Sequence, residues 1–111
     1  MFEYGLPHGY YTYQYNGGET YTGQFKNGKA DGYAIYRWTN EETYHGQFNE
    51  DKREGYGIVK YPNNDEYDGQ WEKGNRSGEA VWTDAETGII QRELWKDDEF
   101  VKVLEALHDN N

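Results

Sequence analysis

The chain has 111 residues, the length of one domain, but Leu, Ile, Val and Phe number only four each, too few for a two-layer packed core. With a formal net charge of −10, such a composition ordinarily marks disorder; the 12 Tyr, 4 Trp and 4 Phe oppose that because they recur periodically. The acidic excess disfavours nucleic acid and anionic lipid as partners, since both attract positive charge, and suits a basic protein segment.

In chain order, Phe2, Gly5 and Gly9 reproduce the spacing of Phe25, Gly28 and Gly32, so the sequence enters partway through a unit, either natively or as a piece of a longer array. Gly9, Gly32, Gly55 and Gly78 then stand 23 residues apart (32 − 9 = 55 − 32 = 78 − 55), as do Tyr21, Tyr44 and Tyr67, Gly23, Gly46 and Gly69, and Phe25, Phe48 and Trp71. One period shared by several positions means one structural unit copied in tandem. The first full unit runs Gly9–Tyr15 as a strand, Asn16-Gly17-Gly18-Glu19 as a turn, and Thr20–Phe25 as a second strand; Asn-Gly between such runs signals a hairpin. Lys26–Gly32 links it to the second unit, Gly32–Trp38 and Thr43–Phe48, and the third is Gly55–Tyr61 and Glu66–Trp71. In the link between these two, Asp51 replaces the first glycine, so that bend is expected to differ.

Alternate strand residues share a face. Ala34, Tyr36 and Trp38 are therefore placed beside Tyr44, Gly46 and Phe48, with Gly46 leaving room for a ring from a neighbouring strand to lie flat. The last unit decays: Gly78–Trp82 reads as a strand, but Ile90, Arg92 and Leu94 stand where Tyr, Gly and an aromatic are expected. Phe100, Val103, Leu104 and Leu107 follow an i, i+3, i+4, i+7 pattern, with Asp97 or Asp98 as cap. These predict an amphipathic helix over 98–109 that covers the final sheet edge of an array over 1–97.

The pattern Tyr-x-Gly-x-(Phe/Trp)-x-x-Gly-x-x-x-Gly, at this step and over about residues 2 to 95, resembles the MORN (membrane occupation and recognition nexus) repeat. The resemblance implies an all-β fold, an elongated single-layer antiparallel sheet of stacked β-hairpins with a shallow groove. It implies a non-catalytic interaction scaffold, of a kind found in ciliary, cytoskeletal and membrane-junction proteins and beside the catalytic domains of lipid kinases and lysine methyltransferases.

The candidate partner-binding groove is the aromatic face: Tyr13, Tyr15, Tyr36, Trp38 and Tyr61 from first strands, and Tyr21, Tyr44 and Tyr67 from second strands, with Phe25, Phe48 and Trp71 deeper. Tyr and Trp are frequent anchors at binding hot spots. Glu42, Asp65, Glu66 and Asp68 are candidates for pairing with a basic partner, against the plainer reading of solvated turns. No catalytic residue, metal site or cofactor is expected. His8, His45 and His108 lack ligand spacing, Ser77 lacks a base, and there is no cysteine or phosphate-binding glycine loop. The start, Met1-Phe2-Glu3-Tyr4-Gly5, lacks the basic and apolar segments of a signal peptide, so a cytoplasmic, cytoskeletal or ciliary location is expected.

The expected partner is thus a basic and apolar protein segment. The alternative is a membrane-associated module or the regulatory arm of a larger lipid enzyme, which the net charge opposes. A third option is carbohydrate or choline recognition by stacked rings. Open sheet ends also make a homodimer an option.

Overall fold

The computed structural model describes residues 2–3, 6–7 and 9–108, and side chains over 9–107; the predicted landmarks Gly5 and His8 lie outside the described residues. The elements are β1 (Phe2–Glu3), β2 (Leu6–Pro7), β3 (Gly9–Gln14), β4 (Thr20–Lys26), β5 (Lys29–Arg37), β6 (Thr43–Asn49), β7 (Lys52–Lys60), β8 (Glu66–Glu72), β9 (Asn75–Thr83), β10 (Ile90–Lys96) and β11 (Glu99–His108). β1 and β2 pair with each other; β3 to β11 form one antiparallel sheet in strict sequence order. Each strand pairs only with its neighbours in sequence, which makes an elongated meander with extents of 55 × 24 × 18 Å.

The repeat is a way to lay a tyrosine flat on a sheet. Tyr44 of β6 points along its own strand and its hydroxyl donates to the Gln47 carbonyl at 2.7 Å; Tyr21 and Tyr67 do the same to Gln24 and Gln70, each at 2.6 Å. The ring lies where Gly46 and Gly57 leave no side chain: a Cβ on Gly57 would stand 2.3 Å from the Tyr44 ring, and one on Gly46 would stand 2.4 Å from the Gly57 Cα. The space predicted at Gly46 is therefore real, and the ring beside it comes from its own strand.

Where the sheet passes each phenol, the next strand bulges. Between Gly46 and Phe48 the partner register jumps from Gly57 to Arg53, and Gly55 in that bulge has φ 88°. The Gln47 side chain accepts the freed Tyr56 N–H at 2.9 Å, as Gln24 accepts from Tyr33 at 3.2 Å. Tyrosine, glycine, glutamine and aromatic thus recur together because each satisfies a polar group or a void created by another.

The hairpins close with three-residue loops: Tyr15 N–H reaches Glu19 at 2.8 Å, Trp38 reaches Glu42 at 2.9 Å and Tyr61 reaches Asp65 at 2.9 Å. The links between hairpins are two-residue turns with both φ values positive, at Asn27-Gly28, Glu50-Asp51, Lys73-Gly74 and Asp97-Asp98, as type I′ requires. The bend at Asp51 does not differ from the others: its φ is 69° against 83° and 89° at Gly28 and Gly74.

Two expectations for the last unit are corrected. Its hairpin loop is one residue longer, with Asp84 N–H reaching Ile89, so the frame moves by one. Gln91, Glu93 and Trp95, not Ile90, Arg92 and Leu94, stand at the Tyr, Gly and aromatic positions: Trp95 pairs with Gly78 as Trp71 pairs with Gly55. Trp95 is 8% exposed, and the Glu93 carboxylate, 3% exposed, takes the glycine position and accepts the Trp95 indole N–H at 2.9 Å.

The helix expected over 98–109 is not formed; Glu99–His108 is strand β11, paired along β10 with three bulges, while residue 109 lies outside the described residues. Asp97-Asp98 serves as a type I′ turn rather than a cap, because after the frame shift it falls where the other link turns fall. The β-branched Val101 and Val103 suit the strand, and the apolar residues that suggested a helix face are half-exposed on a sheet edge, Phe100 at 50% and Leu107 at 47%.

Candidate functional site

Cross-strand register places the predicted groove residues on one face. Tyr36 pairs with Tyr44, Ala34 with Gly46, Gly32 with Phe48, and Tyr13 with Tyr21, and directly paired residues share a face. The face has two tiers. Tyr21, Tyr44 and Tyr67 are 1%, 0% and 0% exposed and form the floor. They alternate with Phe25, Phe48, Trp71 and Trp95 in an unbroken ladder: Tyr21–Phe48 5.3 Å, Tyr44–Phe48 5.1 Å, Tyr44–Trp71 5.5 Å, Tyr67–Trp71 5.2 Å and Tyr67–Trp95 5.6 Å between centroids. Tilted and edge-on ring pairs of this kind contribute about 0.5–1.5 kcal/mol each beyond area burial. This ladder is the core of a sheet that, among the described residues, has no second layer.

The upper tier is accessible. Tyr13 and Tyr15 are exposed, while Tyr36, Trp38, Tyr61 and Trp82 are half-buried. Their rings run side by side, Tyr13–Tyr15 at 4.8 Å, Tyr15–Tyr36 at 5.8 Å, Tyr36–Trp38 at 4.6 Å and Tyr61–Trp82 at 5.5 Å. Of the eight predicted groove residues, five therefore offer surface and three support it from below. Burial raises the phenol pKa of Tyr36, and its hydrogen bond to the Glu19 carboxylate raises it further.

The groove already contains cations of its own. Arg53 lays its guanidinium over Trp71 at 4.3 Å, with Trp38 and Tyr44 at 5.6 and 5.8 Å, and Nη2 donates to the Gly74 carbonyl at 3.0 Å. Burial lowers its pKa, against the opposing pull of the nearby Tyr44 phenol. Arg76 lies over Trp95 at 4.2 Å; its Nε donates to Asp98 Oδ1 at 2.8 Å, Nη2 to the Asp98 carbonyl at 3.2 Å and Nη1 to the Tyr61 hydroxyl at 3.1 Å. These arginines were missed in the sequence, although Arg53 and Arg76 keep the 23-residue step (76 − 53).

In the first unit the equivalent position is Ala30, which leaves an open recess of about 540 Å³ bounded by Tyr15, Tyr21, Tyr36, Phe48 and Asp51. The corresponding space around Arg53 is about 260 Å³.

The opposite face carries a second tyrosine row that sequence reasoning passed over: Tyr10, Tyr33 and Tyr56, 68%, 56% and 41% exposed, again in step with the repeat. Tyr56 donates to Asp68, which pushes the phenol up to about 12. Asp68 thus belongs to that face, and Asp65 accepts the Ala85 N–H of the neighbouring hairpin loop at 2.8 Å. Among the described residues no group of three or more His, Cys, Asp or Glu could hold a metal ion, and no helix is long and apolar enough to cross a membrane.

Comparison with curated proteins returns no match. The MORN repeat profile matches residues 1–20, 21–43, 44–66 and 67–86. MORN repeats are generally protein- or membrane-interaction modules and are typically non-catalytic. With four consecutive matches over most of its length and a hairpin sheet built on the same period, this chain belongs to the MORN repeat family.

Proposed function

We propose that the chain is a protein-binding scaffold whose aromatic face receives an extended, basic and apolar segment of another protein. The observation that carries this is an accessible row of rings, Tyr13 to Trp82, on a sheet that no second layer covers among the described residues. Contiguous exposed apolar surface commonly marks an interface. The net charge of −10 favours a basic partner.

A photo-crosslinking residue placed at Tyr13, on the groove face, tests this against the same residue at Tyr33, on the opposite face. A partner joined through position 13 and not through 33 is the expected result; joining only through 33 would move the interface to the other face. The membrane-module reading shares the family background but is opposed by the negative charge. Flotation of the chain with phosphatidylserine vesicles would favour it.

A further inference from the structure

We propose that the recess beside Ala30 is a receptor for the guanidinium of an arginine on the bound protein segment. This deepens the groove reading and rests on it. The molecule supplies its own pattern for the site. One position in each unit sits directly across from the column aromatic: Ala30 from Phe25, Arg53 from Phe48, Arg76 from Trp71 and Phe100 from Trp95. In the later units a large side chain fills that position; in the first it is a methyl group.

The surroundings of the two arginines reappear around the empty position. Arg53 lies over Trp71 and near Tyr44, and the same places one unit earlier hold Phe48 and Tyr21. Arg76 is held by the carboxylate and carbonyl of Asp98 and by the Tyr61 hydroxyl; the same places hold Asp51 and Tyr15. Asp51 is oriented as Asp98 is. Its Oδ1 accepts the Ala30 N–H at 2.7 Å, as Asp98 Oδ1 accepts the Arg76 N–H at 3.1 Å, and its own N–H reaches the Ala30 carbonyl at 3.0 Å. What differs is the cation. Among the described residues no lysine or arginine lines the recess or pairs with the Asp51 carboxylate, so a ring floor and a fixed anion face an unfilled volume.

Arginine fits better than lysine because a planar guanidinium can stack on Phe48 while its edge donates to both a carbonyl and a carboxylate. The recess opens onto the groove face beside Tyr15 and Tyr36, so a segment lying along the rings can lower an arginine into it.

The test titrates the full chain with acetyl-arginine-amide, acetyl-lysine-amide and tetramethylammonium chloride, following the ring NMR signals of Tyr15, Tyr21 and Phe48. The arginine probe should shift all three signals with millimolar saturation, about tenfold more tightly than either other cation. Ala30→Arg, which fills the recess from within, should abolish the response. Asp51→Asn, which keeps an acceptor for the Ala30 N–H and tolerates the positive φ, should weaken it about tenfold. Equal binding of all three cations, or unchanged arginine binding in both variants, would overturn the site. If Ala30→Arg does not fold, Asp51→Asn alone decides. The probes need no partner: silence here with crosslinking at position 13 intact overturns the arginine site alone, whereas a response without that crosslink overturns the groove reading alone.

Discussion

The first and second repeats share a floor and differ above it. In both, a buried tyrosine donates to a carbonyl three residues on, a glutamine satisfies the bulge, and a two-residue turn with positive φ closes the link. Yet Phe48 faces Arg53 across the strands whereas Phe25 faces Ala30, and the free volume on the groove face is about 540 Å³ in the first unit against about 260 Å³ in the second. The phenol, bulge and turn survive the exchange of arginine for alanine, so the sheet is held by its floor. The upper position is free to be filled or left open, and its identity decides whether the groove face is self-satisfied or receptive.

Removing the floor should have the largest effect. Tyr44→Ala deletes a 0% exposed ring that touches Phe48 and Trp71 and should cost about 3–5 kcal/mol in chemical denaturation. Tyr13→Ala, in the upper tier, should cost less than about 1 kcal/mol.

Alkaline pH attacks the same floor. Burial raises the pKa of Tyr21, Tyr44 and Tyr67 above the usual 10.0, in Tyr44 despite the opposing field of Arg53. The unfolded chain then ionises at a pH the folded chain resists. The stability these phenols contribute is complete below pH 10 and is lost as pH rises beyond it. Phenolate absorbance should rise together with loss of the folded circular dichroism signal.

Emptying a filled unit has a middle effect. Arg53→Ala removes a half-buried stacked guanidinium and should cost about 1–2 kcal/mol. It should also create a second recess that shifts the Trp71 ring signals when the arginine probe is added. Filling the empty unit is gentler: Ala30→Arg should stabilise by about 0.5–1 kcal/mol, read as a rise in melting temperature.

The smallest effect concerns Asp98. Partial burial pushes its pKa up, but hydrogen bonds from Arg76 outweigh this and hold it below the usual 3.8. Its contribution is present above pH 3.8 and lost as pH falls through the depressed value. Asp98→Asn should flatten that acid limb of a melting-temperature profile.

Much of the array was legible in the residues because its interactions are local. Tyr21, Gly23 and Phe25 lie within one strand, and the paired strand follows after a short turn, so a fixed period carries both shape and register. The face shared by Tyr36 and Tyr44 could be read for that reason. Where local signals conflicted, the reading failed. Phe100 to Leu107 satisfies helical spacing, but a strand beside β10 supplies backbone partners that no pattern within the segment reveals. One extra loop residue before Ile89 hid the Gln91, Glu93 and Trp95 frame in the same way.

By itself the sequence determined the repeat, the hairpin strands of its first three units and the aromatic face, since each follows from periodicity and strand alternation over short separations. Only the tertiary structure decided which tyrosines are floor and which are surface, that Arg53 and Arg76 lie on the rings of the next unit, and that Ala30 leaves its counterpart open. Those outcomes depend on side chains from neighbouring strands, separated by a loop in sequence, meeting across the sheet. A linear pattern records that such residues recur, but not the volume they enclose.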